Sequence, residues 1–202
     1  MEDSSFNIDF QNTDLTSKIV QGLERISEAY RVLLWEHAKT IGLSPIQIQV
    51  LIFIYYHPSH LCSVSALAKE FNLTKPTISD AIKVMDKKGL VHKIPSLEDK
   101  RAYTIEVSEE GKKVVAQTEY FASPIREGVK ALNKNEQAEV FSALSKVIYT
   151  LNKSNVISVQ RMCHTCQHFS TEGQQLFCKL LELKLDAQDL RLDCPEHEAR
   201  NV

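Results

Sequence analysis

The chain has 202 residues, a formal net charge of −2, and ordinary apolar (43%) and charged (25%) fractions. It is not a polycation, so any nucleic-acid binding must come from a local basic face. No run of about eighteen apolar residues occurs, which excludes an ordinary membrane-spanning helix.

The first stretch, residues 1–13, is acidic and polar and reads as a flexible arm. It has neither the basic start nor the apolar stretch of a secretory signal, so the expected location is the cytoplasm. From Asp14 to Gly42 the apolar residues Leu15, Ile19, Leu23, Ile26, Tyr30, Leu34 and Ile41 recur in steps of three and four. That predicts one long helix with a single apolar stripe, ended by Gly42. Ser44 and Pro45 are an N-cap and a first helical residue. The helix they start is apolar nearly all round, as the buried centre of a domain is, and should stop near His57 and Pro58.

Ser63 is placed to cap a short third helix with Val64, Leu67, Ala68 and Phe71 inward. Asn72 and Leu73 make a tight turn. Thr74 caps a fourth helix, Lys75 to Lys88, with Ile78, Ile82 and Met85 inward and Gly89 as its stop. Then the period changes to that of strands. Leu90 to Ile94 and Ala102 to Val107 predict a two-stranded ribbon with a charged tip between them. Ser108, followed by Glu109 and Glu110, starts another helix, since carboxylates suit the positive end of the helix dipole. Helical pattern continues through Leu132. Residues Asn133 to Asn135 interrupt it, and a last helix is expected from about Glu136 to Leu151, with Val140, Leu144, Val147 and Leu151 on one face.

Two short helices, a tight turn and a ribbon are the parts of a winged helix-turn-helix. Its second helix enters the major groove and presents its N-terminal residues to base edges. The face opposite the buried stripe shows Lys75, Thr77, Ser79, Asp80 and Lys83. Lys75 and Lys83 are expected to neutralise phosphates, Thr77 and Ser79 to touch base edges or phosphate oxygens, and Pro76 to pack on a thymine methyl. At the ribbon tip Lys100 and Arg101 have the reach for a minor groove narrowed by A·T pairs. Charge alone is weak support: residues 63–107 hold eight Lys or Arg against six Asp or Glu. A solvated helix face would look much the same.

The run LAKEFNLTKPTISDAIKVMDKKGLVHKIPSLEDKRAYTIEVSEEGKK, residues 67–113, resembles the core of MarR-family regulators. The specific parts are Asp99 and Arg101 in the wing, the alternating strand, and the helix start from Ser108 to Gly111. The resemblance spans residues 14–152, with a DNA-binding lobe at about 44–107. It implies a homodimer of intertwined terminal helices, double-stranded DNA as partner, Asp99 orienting Arg101, and a possible small-molecule effector that no residue here specifies.

Residues 153–160 read as a connector. The tail, 161–202, holds Cys163, Cys166, Cys178 and Cys194 in the pattern C-x2-C-x11-C-x15-C. Cysteines in a reducing compartment favour metal binding over a disulfide framework. A segment this short usually needs a staple, and four thiolates make a tetrahedral Zn2+ site, or alternatively hold an iron–sulfur cluster. His164, His168 and His197 lie close by and are expected to be neighbours rather than ligands. Four thiolates close a zinc site, and no other catalytic constellation is present, so an enzyme is not expected. A protein-interaction adaptor is a further alternative. The expected fold class is mainly α with a small β-wing: a winged helix-turn-helix, a helical dimerisation region and a metal-stapled C-terminal segment. The expected function is a dimeric, sequence-specific transcription regulator with a structural metal. The alternative is a metal or redox sensor in which the thiols control DNA affinity. Cys62 could serve as a redox sensor, but with no lysine or arginine near it in sequence it is expected to be a partly buried packing residue at a helix junction; His37 and His57 are expected to be packing or surface residues rather than ligands.

Overall fold

The computed structural model describes residues 4–95, 103–173 and 175–200. Capping side chains set most helix starts. Asp14 accepts from the Ser17 amide to start α2 (Leu15–Ile41), which ends at Gly42 in the left-handed conformation (φ 68°). Ser44 and Gln47 form a reciprocal capping box at α3 (Pro45–Tyr56). Ser63 caps α4 (Val64–Glu70) and Thr74 caps α5 (Lys75–Lys87). The intervening turn passes through Asn72 at φ 50°, a conformation asparagine tolerates better than most residues.

Strands β1 (Val91–Pro95) and β2 (Tyr103–Val107) pair antiparallel, with Val91 opposite Val107 and Pro95 opposite Tyr103. Ile105 also donates its amide to the Cys62 carbonyl at 2.9 Å, which ties the ribbon to the segment before α4. Ser108 caps α6 (Glu109–Thr118), and α7 (Ser123–Lys130) and α8 (Lys134–Lys153) follow.

One apolar cluster holds this region together. Ile48, Leu51, Leu67, Ile78, Ile82, Met85 and Ile105 are all fully buried in it. α3 runs through its middle, which explains why that helix is apolar on every side. No single helix among the described residues is long and apolar enough to cross a membrane. The molecule is mainly helical with a small β-wing.

Three expectations change. The arm over residues 1–13 contains a short helix, α1 (Ile8–Thr13), capped by Asn7. The last helix starts at Lys134 rather than Glu136, because Asn133 and Glu136 form a capping box across the presumed break. The tail also has strands of its own. β3 (Phe169–Glu172), β4 (Gln175–Cys178) and β5 (Leu183–Leu185) form an antiparallel sheet in the order β3-β4-β5. Met162, Cys166 and Phe169 are buried around it.

Candidate nucleic-acid interface and thiol cluster

The inward face of α5 is Ile78, Ala81, Ile82 and Met85, all buried. The outward face therefore carries Lys75, Pro76, Thr77, Asp80 and Lys83, all exposed, with Ser79 half-buried at its margin. Thr77 and Thr74 share a hydroxyl contact of 2.8 Å at the helix start. Lys83 pairs with Asp80 at 2.9 Å, so part of its charge is already answered. Lys75 makes no ion pair among the described residues. The wing is tied to the far end of α5 by Lys93, which pairs with Asp86 at 2.7 Å. Asp99, Lys100 and Arg101 lie outside the described residues, as does the rest of the wing tip.

The four tail cysteines come from three separate elements. Cys163 begins a 3-10 turn and Cys166 closes it, donating its amide to the Cys163 carbonyl at 3.0 Å. Cys178 ends β4, opposite Phe169. Cys194 lies beside a bridge that pairs Arg161 with Asp193. All four line one small cavity of about 20 Å3, together with His168, Phe169, Glu196 and three leucines. They are free thiols, not disulfides. The Arg191 amide donates to Cys163 Sγ at 3.3 Å, and its guanidinium reaches Cys194 Sγ at 3.5 Å and Glu196 at 2.9 Å. Burial raises the Cys194 thiol above its ordinary value, against the pull of the Glu196 amide and Arg191.

These thiols share a cavity wall, but they are not drawn to one point. Among the described residues no group of three or more His, Cys, Asp or Glu side chains is gathered tightly enough to hold a single metal ion. The histidines separate by role. His164 lies between Tyr149 and Phe169, with ring centroids 5.4 and 5.2 Å away. His197 meets the Thr165 hydroxyl at 3.0 Å. Burial lowers the pKa of both rings. Only His168 lines the thiol cavity. Its Nε2 is buried and unbonded, because Glu198, at 3.4 Å, is within ion-pair distance but not in hydrogen-bond geometry.

Sequence reasoning missed how the tail is fastened. Arg161 reaches back to α4, with Nη1 and Nη2 at 2.7 and 3.2 Å from the two oxygens of Glu70. Its Nε donates to Asp193 at 2.6 Å. Asp193 also meets His57 Nε2 at 2.7 Å, and the His57 ring stacks on Phe53 with centroids 3.7 Å apart. Burial works against the Arg161 charge, but its hydrogen bonds to Glu70 and Asp193 outweigh it and raise its pKa. Ser158 donates its amide to Asn72 Oδ1 at 3.1 Å, and its hydroxyl lies 2.6 Å from the Lys69 carbonyl. The available signal was a lone arginine two residues before the first tail cysteine.

Comparison with known proteins agrees with the lobe as built. Residues 41–102 match the model of the MarR family. A curated relative, the HTH-type transcriptional repressor YetL of Bacillus subtilis, is 35% identical over 71 residues, 35% of this chain. The match spans 42% of that relative's length. Among solved structures, the Staphylococcus aureus MepR–DNA complex is 22% identical with a TM-score of 0.58, covering 65% of this chain and 97% of that one. The Streptococcus pneumoniae FabT–DNA complex has 19% identity, the same TM-score, and coverage of 68% and 98%. The transcriptional regulator PA3341 is 25% identical, also at 0.58, covering 67% and 98%. These likenesses establish a MarR-type winged-helix fold over about two thirds of the chain. The tail lies beyond the residues that the family model matches.

Proposed function

We propose that the chain is a dimeric, sequence-specific DNA-binding transcription regulator of MarR type, not an enzyme, whose tail holds one thiolate-ligated metal centre. The outward face of α5 carries the DNA reading. It presents Lys75, Pro76 and Thr77 at the start of a helix whose opposite side is locked in the core. Helix N-termini and lysines suit phosphates, and small polar side chains at that end suit base edges. The YetL relative is named a repressor, and MepR and FabT are described in complex with DNA.

The dimer reading rests on an uncovered apolar stripe. Leu15, Ile19 and Ile26 on α2, and Val140, Leu144, Val147 and Leu151 on α8, are all exposed. Residues at that spacing on two long helices fit burial against a second copy. The metal reading is supported by the donor set: Cys163, Cys166, Cys178 and Cys194 line one cavity from three separate elements, though without meeting at a point. Zinc with four sulfurs would be a closed, structural site. An iron–sulfur cluster uses the same donors and needs them further apart.

The DNA reading is tested by selecting duplexes from a random pool and measuring affinity against salt. Lys75→Ala should weaken binding evenly across sequences and lower the salt slope by about one. Thr77→Ala should relax preference at one or two positions. Asp80→Asn should tighten binding, because it frees Lys83. Wild-type affinity in the Lys75→Ala and Thr77→Ala double variant would rule out α5 as the reading helix.

A further inference from the structure

We infer that the tail is a metal-dependent brace on the helix-turn-helix: loading of the thiol cavity sets DNA affinity through Arg161, Asp193 and Ser158. The inference rests on the reading of this chain as a DNA-binding protein with a thiolate-held metal.

The connection is continuous from the sulfurs to the turn. Arg161 lies two residues before Cys163, and Asp193 lies immediately before Cys194. The backbone joins the two sides: the Cys194 amide donates to the Arg161 carbonyl at 2.9 Å, and the Cys163 amide to the Arg191 carbonyl at 3.1 Å. Fixing Cys163 and Cys194 on one centre therefore fixes Arg161 and Asp193 relative to each other. Arg161 grips both oxygens of Glu70, the last residue of α4, and its guanidinium stands 5.4 Å from the centre of the Phe53 ring. Asp193 holds His57 at the end of α3. Ser158 meets Asn72 and the Lys69 carbonyl. The tail and its connector thus touch the supporting helix, the first helix of the motif and the turn itself.

The turn is the place where such contacts matter. Asn72 sits at φ 50° between α4 and α5, so it sets the angle at which α5 leaves α4. A side chain accepting from Ser158 holds that conformation. The Arg161 side chain is only 12% exposed. It meets carboxylates from both sides, Glu70 of the lobe and Asp193 of the tail, so a loosened tail withdraws one partner and leaves the other misaligned. A braced turn presents α5 already set for the groove, and an unbraced one must be ordered on binding. The loaded form is therefore the tight-binding form. Arg161 is a positioning residue: its guanidinium meets Glu70, Asp193 and the Phe53 ring.

The test uses the full-length protein purified without oxygen. Metal per chain is measured by elemental analysis and the absorption spectrum, which separates colourless zinc from a brown cluster. DNA affinity is then measured by fluorescence anisotropy at one salt concentration, before and after stripping with a chelator and after reloading with zinc, or with iron and sulfide. Loaded protein should bind on the order of tenfold more tightly than stripped protein, within the usual range of coupling between sites. Arg161→Gln should keep its metal and lose that difference. Glu70→Gln, which cuts the same link from the lobe side and far from the thiols, should do likewise. Equal affinity of loaded and stripped wild type would overturn the brace while leaving the metal reading standing. A full tenfold difference in both variants would overturn the route through Arg161. A chain that takes up no metal yet binds DNA sinks the metal reading and the brace together. A chain that binds no duplex in any state sinks the DNA reading and the brace.

Discussion

Cys62 is a thiol taken out of play by its surroundings. It is 1% exposed, and its Sγ lies 3.5, 3.7 and 4.0 Å from the carbonyl oxygens of Pro58, His57 and Ile54. Burial, helped by the Glu106 charge, pushes its pKa from 9.0 up to about 11. The thiol is neutral in both folded and unfolded chains below pH 9. Above that, the unfolded chain ionises first, so stability is lost as pH rises towards about 11. At about 1.4 kcal/mol per pH unit, the loss reaches roughly 2–3 kcal/mol. Urea unfolding at pH 8 and pH 11 should show a steeper loss for wild type than for Cys62→Ala. Equal losses would mean that the thiol is not confined as described. The packing role of Cys62 was legible in the sequence because no lysine or arginine stands beside it. The role of His57 was only half legible, since its acidic partner, Asp193, comes from 136 residues away.

At the scale of elements, local chemistry was readable wherever a cap or a period carried it. The starts of α2 to α6 follow from Asp14, Ser44, Ser63, Thr74 and Ser108, whose side chains each accept from a backbone amide. Asn133 misled, because a polar residue that looks like a break also caps: its Oδ1 accepts from the amides of Asn135 and Glu136. The tail strands were not legible. They are three or four residues long, too short to show a period of two, and their pairing is set by the hairpin at Gly173 (φ 63°). The joint between the wing and α6 gives a sharp test. A Cβ at Gly111 would overlap the Leu90 carbonyl oxygen and stand 2.7 Å from Val107 Cγ1. Since the overlap is with backbone, Gly111→Ala should destabilise the lobe by about 2–4 kcal/mol, by analogy with overpacked and strained sites. Thermal unfolding would show this, and an unchanged melting temperature would mean that the joint is looser than described.

At the scale of the whole molecule, α2 and α8 leave apolar residues exposed. Leu15, Ile19 and Ile26 on α2 and Val140, Leu144, Val147 and Leu151 on α8 stay exposed among the described residues, at helical spacing. Val147→Glu places a charge in the middle of that stripe, and burying it against a second copy would be costly. Light scattering at micromolar concentration should then report monomer where wild type gives dimer, with DNA affinity falling alongside. A Val147→Glu protein that stays dimeric would move the interface elsewhere. The long apolar stripes were readable from the sequence, whereas the attachment of the tail to the lobe depends on pairs such as Arg161 and Glu70, 91 residues apart, which leave no local trace.

The central apolar cluster draws on residues from Leu34 to Phe121, and none from the tail belongs to it. The tail and its connector instead meet the lobe through polar anchors at Glu70, Asn72 and His57, with Arg161 over the Phe53 ring and His164 beside Tyr149. An appendage fastened in this way asks little of its host. Any winged helix offering an acid, an asparagine and a histidine at those three places has a socket for it, so the tail is a portable module whose acquisition or loss requires no rebuilding of the interior.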